Sequence, residues 1–251
     1  MMIEKNVVPS LHNHPCDFES LHVRMMPRFP NRIVYDLIVQ SEIELPELMV
    51  VPGSRAQDPV TVQVRIQPVD PAGIKHGKQL DPYLWVTPQE LCLHIPEVAR
   101  FLIRDGRVIL IDPEPGIDED SIRVFLLGSA FGALLFQRGF LVLHGNAIQV
   151  GNQCMICVGD SGAGKSTLAA GLIQRGYSIL SDDVVPVDSQ CHALPGFPRI
   201  KLWQDTADRL KIDTSALRRI RPETEKFNFP LDQPFSRPAL PLRWVSVLDR
   251  P

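Results

Sequence analysis

The octapeptide at residues 159–166, Gly-Asp-Ser-Gly-Ala-Gly-Lys-Ser, has the spacing G-x-x-x-x-G-K-[ST] and dictates the fold on both sides of it. An apolar run, Met-Ile-Cys-Val at 155–158, precedes it, and a helix-forming segment at 167–175 follows. This predicts strand, loop and helix in that order. The loop glycines let backbone N–H groups turn inward onto phosphate oxygens, and the open N-terminus of the following helix adds its own donors and positive dipole end. Lys165 then reaches the β- and γ-phosphates, and the Ser166 hydroxyl is placed to bind Mg²⁺. The expected nucleotide-binding set is Gly159, Asp160, Ser161, Gly162, Ala163, Gly164, Lys165, Ser166 and Thr167, with ATP and Mg²⁺ as cofactors.

Composition removes several function classes. The formal net charge of −3 over 251 residues argues against a nucleic-acid partner. No apolar run approaches the ~20 residues a membrane span needs. The start, Met-Met-Ile-Glu-Lys-Asn, lacks the apolar stretch of a signal peptide, so the expected location is cytoplasmic, with no membrane partner. The five cysteines show no framework spacing. Cys154 and Cys157 spell C-x-x-C, but residues three apart on a strand face opposite ways, so both are read as strand residues. His12, His14 and Cys16 lie in an unpatterned terminus and are not assigned a metal.

Residues 1–30, with four prolines, are expected to be a poorly ordered or loosely docked lead-in. From 31 to about 112, strand patterns recur at 33–45, 60–66, 84–86, 90–95, 99–103 and 108–111, with a loop at 68–82 and a hairpin turn at Asp105-Gly106. Together they predict a mostly antiparallel β region. Asp118 or Asp120 is expected to cap a long helix over 121–138, ending at Gly139. Strands follow at 140–144 and 147–150, then the phosphate-loop unit, then a strand over 177–187. Beyond it the chain is broken by prolines, with a short helix at 206–210 and a strand at 243–248.

The strand after the phosphate-loop helix carries Asp182 and Asp183. A carboxylate beside the loop is what Mg²⁺ coordination requires there. In a regular strand the two would face opposite ways, so both reach the site only if the strand breaks. A solvated Asp-Asp turn is the bland alternative. The adopted reading is a metal-and-base pair, with Ser166 and Asp182 on the metal and Asp183, Asp182, Lys165 and His144 as the catalytic set. Which aspartate performs which role stays open. His144 is placed to hydrogen-bond one of them and orient it. Arg199, Lys201 and Lys226 could steady phosphate charge, but are read first as surface cations, and Trp203 as core.

His144-Gly145, the loop at 159–166 and Asp182-Asp183 recur in this order in the catalytic domain of HPr kinase/phosphorylase, which residues 143–183 resemble. The stretches at 95–102, 125–130, 176–183 and 195–203 are similar to smaller bacterial HPr-kinase-like proteins, among them kinases of lasso-peptide clusters that phosphorylate a peptide serine. The resemblance implies an α/β fold with the P-loop kinase core of the HPr kinase and phosphoenolpyruvate carboxykinase type, here behind the N-terminal β region. It implies 113–251 as the catalytic domain, and a peptide or small-protein acceptor. Thr167 stands where HPr kinase usually has an acidic residue, and neither the later loop tied to dephosphorylation nor a separate regulatory domain is found. The resemblance therefore does not carry the phosphorylase reaction or HPr itself as substrate. Relatives tend to continue past the final strand, so whether the catalytic fold is complete at its C-terminal side stays open. A homo-oligomer stays open.

A small-molecule kinase, a nucleotide-driven ATPase or GTPase switch and a non-catalytic nucleotide-binding scaffold are the competing classes. Neither an L-S-G-G-Q-like nor an N-K-x-D motif is present to support a switch, and the intact Lys165, Ser166 and Asp182-Asp183 set disfavours a scaffold.

Overall fold

A computed structural model describes residues 29–51, 53, 61–231 and 238–249. The expected lead-in lies outside the described residues except for 29 and 30, and His12, His14 and Cys16 lie outside them entirely.

Nine strands form the first sheet: β1 (Arg32–Val34), β2 (Leu37–Ser41), β3 (Met49–Val50), β4 (Val62–Ile66), β5 (Lys78–Asp81), β6 (Leu84–Val86), β7 (Glu90–Ile95), β8 (Ala99–Arg104) and β9 (Val108–Pro113). Their order is β3-β1-β2-β4-β9-β8-β7-β6-β5. The pairing is antiparallel except for β2 with β4 and β4 with β9. The alternation in Val62, Gln63 and Val64 sets its faces, with both valines buried. Asp105 and Gly106 both have positive φ, as a tight β8–β9 hairpin turn needs. The segment expected to be a loop at 68–82 holds β5, whose four residues are all exposed. With no buried face, it leaves no apolar alternation to read.

Asp118 caps the next helix, its Oδ1 accepting from the Ser121 amide at 2.8 Å. The single long helix expected over 121–138 is interrupted. α1 (Glu119–Phe125) passes into a π-helical turn at Leu126–Ala130 and then α2 (Phe131–Gln137). Leu126, Phe131, Leu134 and Leu135 are buried against Val64, Phe101 and Ile111 of the sheet and against Val184 beyond it, in one continuous core.

The second sheet is a closed barrel of β10 (Leu141–Val150), β11 (Gln153–Gly159), β16 (Leu240–Leu248), β13 (His192–Ala193) and β12 (Ile179–Val187), taken in that order. β10 is one unbroken strand where two were expected, because Gly145 crosses close to β11. A Cβ there would overlap the Cys157 carbonyl. Cys154 and Cys157 do face opposite ways, into two different apolar clusters. Outside the barrel, α3 (Lys165–Ile173) packs on an antiparallel ribbon of β14 (Arg199–Trp203) and β15 (Lys226–Pro230), followed in space by α4 (Gln204–Arg209). The proline-broken tail thus contains β13, β14 and β15, which sequence reasoning missed. No helix among the described residues is long and apolar enough to cross a membrane.

Candidate active site

β11 ends at Gly159 and α3 begins at Lys165, so the loop between them has the predicted strand–loop–helix setting. Gly162 (φ 83°) and Gly164 (φ 92°) take the left-handed conformation, which a side chain would oppose. No side chain caps α3, leaving its first amides open towards the cavity. Lys165 folds back over the loop, and its Nζ donates to the carbonyls of Gly159 (2.7 Å) and Asp160 (2.9 Å). The Thr167 hydroxyl lies 3.0 Å from that of Thr206 on α4.

A cavity of about 540 Å³ opens over this loop. Of the residues expected from sequence, Ser161, Gly162, Gly164, Lys165, Ser166, Thr167, His144, Asp182 and Asp183 line it. Gly159, Asp160 and Ala163 do not, and the first two enter through the carbonyls that hold Lys165. Asn146, Lys201, Trp203 and Lys226 also line it.

Both aspartates reach this cavity although β12 does not end there. Asp182 is opposite Asn146 on β10 and Asp183 is opposite Gly145. Extended geometry would aim successive side chains apart. Asp183 escapes this with φ 75°, a left-handed residue inside a strand. Four elements brace the kink. Val184, the next residue, accepts through its carbonyl from Ser181 Oγ (2.6 Å) and from the Tyr35 hydroxyl (3.2 Å), Tyr35 standing in the β1–β2 turn. His144 Nδ1 lies 3.0 Å from the Asp183 carbonyl and 3.4 Å from its Oδ1. Lys201 Nζ donates to Asp183 Oδ2 at 2.6 Å. The π-helical turn passes beside them, where a Cβ on Gly128 would stand 3.6 Å from the same oxygen. Helical irregularities of this kind are common at functional sites.

The two carboxylates are neighbours in unlike environments. Asp182 is buried, accepts from Asn146 Nδ2 and from the Lys201 amide (2.8 Å), and has its pKa pushed up to about 6 by burial and then by the charge of Asp183. Burial also raises Asp183, but the Lys201 charge and hydrogen bond, with His144 and Lys226, outweigh it and hold that carboxyl below its ordinary value.

The cations expected at the surface are drawn inward. Arg199 and Lys201 are buried, and Lys226 is half-buried with its pKa lowered by burial and by Lys201. The physical reason is the aspartate pair, which supplies counter-charge in the interior. Trp203, expected in the core, is 46 % exposed at the cavity, with Lys226 Nζ 5.3 Å from its ring. Asn146 was missed, although its place two residues after His144 puts both on one strand face. Its Oδ1 is buried without a partner while Nδ2 serves Asp182.

No curated protein matches the chain. Residues 140–202 match the family model described as HPr Serine kinase C-terminal domain, so the resemblance read in the sequence holds over the segment that carries β10, the glycine-rich loop at 159–166, both aspartates and Lys201, and there the chain is similar to that kinase domain.

Proposed function

We propose that this protein is an ATP- and Mg²⁺-dependent kinase that passes the γ-phosphoryl group to a hydroxyl, on a serine of a peptide or small protein. The observation that carries this reading is the left-handed Asp183, which turns a second carboxylate into the cavity already lined by Lys165, Ser166 and Asp182. On this reading the barrel with α3 is a P-loop core of the HPr kinase and phosphoenolpyruvate carboxykinase type, and 113–251 is the catalytic domain.

Phosphoryl transfer asks a protein for positioning and charge neutralisation more than for covalent chemistry. The Lys165 ammonium, now on two neutral carbonyls, gains by turning to phosphate oxygens, whose full negative charge attracts it directly. Ser166, Asp182 and the unpaired Asn146 Oδ1 offer the oxygen donors that a hard divalent cation takes. Mg²⁺ held there would supply positive charge against the phosphates. Asp183, ionised and less deeply buried than Asp182, accepts the acceptor's proton, and His144 and Lys201 fix its direction. The bond from the γ-phosphorus to its bridging oxygen breaks, leaving ADP. A bond from phosphorus to the acceptor oxygen forms, and the hydroxyl proton moves to Asp183.

Incubation with γ-labelled ATP, Mg²⁺ and a mixture of serine-containing peptides and small proteins, followed by mass analysis, tests this. The expected product is a phosphorylated acceptor hydroxyl. Free phosphate with every acceptor unmodified would replace the kinase reading by a hydrolase.

A further inference from the structure

The β14–β15 ribbon presents one face to two cavities. Alternate residues of a strand share a face, and the register along this one pairs Trp203 with Lys226, Lys201 with Asn228 and Arg199 with Pro230. Trp203, Lys226 and Lys201 line the phosphate-loop cavity. Asn228, Arg199 and Pro230 line a second cavity of about 400 Å³, bounded elsewhere by Glu47 and Leu217. Lys201 and Arg199 are two residues apart, so the second cavity begins about 7 Å along the strand from the partner of Asp183.

Polar groups in this second cavity are only partly satisfied. Arg199 is 6 % exposed, and although its Nη1 donates to Asn228 Oδ1 and its guanidinium lies 4.7 Å over Phe197, its Nε has no partner. Glu47 accepts from Arg123 through Oε1 at 3.2 Å, while its Oε2 has none. A buried donor and a buried acceptor left unpaired are costly, and one ligand in this cavity would meet both. That ligand is not a simple anion. Glu47 stands close enough to act on the Arg199 charge, and Arg218 at the rim is already paired with Asp120 at 2.7 Å. One group offering an acceptor and a donor together is a peptide main chain. Pro46, Leu217 and Leu231 supply apolar contact beside it.

We propose that this second cavity is the acceptor subsite and holds an extended peptide. A main-chain carbonyl of the peptide accepts from Arg199, an N–H donates to Glu47, and an apolar side chain rests on Leu217 and Leu231. The ribbon then leads the chain back to a hydroxyl at Asp183. The proposal rests on the kinase reading and deepens it by giving the peptide acceptor a docking place beside the phosphate-loop cavity.

The test is a degenerate library of short peptides with one central serine, phosphorylated with ATP and Mg²⁺ and read by mass spectrometry, with free serine and glycerol as small hydroxyl probes. Wild type is expected to select an apolar residue within about three positions of the serine, the reach of one cavity along an extended chain. Leu217→Glu, and Ala216→Trp at the exposed rim, are each expected to raise the peptide KM about tenfold and the ATP KM by less than about twofold, as loss of one docking anchor does. An unchanged peptide KM in both variants, or no flanking selection, overturns the subsite and leaves the kinase standing. Transfer to serine or glycerol but to no peptide also overturns it while keeping the kinase. No transfer to any hydroxyl overturns both.

Discussion

Strands β4, β8 and β9, central in the nine-stranded sheet, bury Val62, Val64, Phe101, Ile103, Ile109 and Ile111 and no charged side chain. Strands β10, β12 and β14, around the loop at 159–166, bury Asn146, Asp182, Arg199 and Lys201. The backbone divides the same way. In the sheet, non-glycine residues with positive φ, such as Tyr35, Asp36 and Asp105, stand in turns, whereas Asp183 has it inside a strand. One region follows the local rules and gains stability from apolar packing. The other breaks them where charges converge, and such departures mark functional sites.

The largest expected effect sharpens this contrast from the sheet side. Phe101→Ala, at a fully buried position, is expected to cost about 4 kcal/mol of stability. Denaturant unfolding measures it, and ATP affinity should be unchanged wherever the variant is folded. A loss under 1 kcal/mol would mean that the sheet is not where stability resides.

Lys201→Met removes the buried partner of Asp183 and is expected to destabilise by about 3 kcal/mol at pH 7. The sign follows from the lowered pKa of Asp183. Its contribution is present above the unfolded carboxyl value and is lost as pH falls through the lower folded value. The deficit of the variant should therefore shrink below about pH 4. A deficit independent of pH would assign the loss to packing instead.

Asp182→Asn should act in the opposite direction, which is the sharpest way to break the comparison. With its pKa raised to about 6, Asp182 favours the fold only when protonated, and this advantage is lost as pH rises from the unfolded value to about 6. In the ligand-free protein the variant is expected to be more stable by about 2 kcal/mol above pH 6, with no gain below about pH 4. Thermal melts across this range decide it, and a less stable variant at pH 7 would show that the buried carboxylate is fully compensated.

Tyr35→Phe is the smallest change. It deletes one hydrogen bond to the Val184 carbonyl and keeps the ring, so about 1 kcal/mol of stability is expected to be lost. If the brace holds the kink, phosphoryl transfer falls while ATP affinity stays. Equal rates in variant and wild type would relieve Tyr35 of that role.

The sequence was most legible where local chemistry decides structure. The hairpin at Asp105-Gly106, a helix cap at Asp118 or Asp120, and β6 and β7 to the residue could all be read from turn residues, capping side chains and alternation. The strand–loop–helix setting of residues 159–166 was legible because glycines at fixed spacing between an apolar run and a helix-forming segment dictate the backbone there. Illegible features depend on partners distant in sequence. Lys201 is drawn inward by Asp183, eighteen residues away, and Asn146 is defined by Asp182, thirty-six away. The kink at Asp183 rests on Tyr35 from another sheet. β14 and β15 were hidden because prolines flank them, and a ribbon bounded by prolines looks like loop in a single chain.

The most direct test of the whole account is a side-by-side measurement of ATP binding and phosphoryl transfer in wild type and Asp183→Asn. The account predicts ATP affinity within about threefold of wild type and transfer reduced by about a hundredfold or more, the usual scale for loss of a positioned acid–base group. Transfer at the wild-type rate, or binding and transfer lost together, would contradict the claim that the left-handed Asp183 is what makes this cavity a site of phosphoryl transfer.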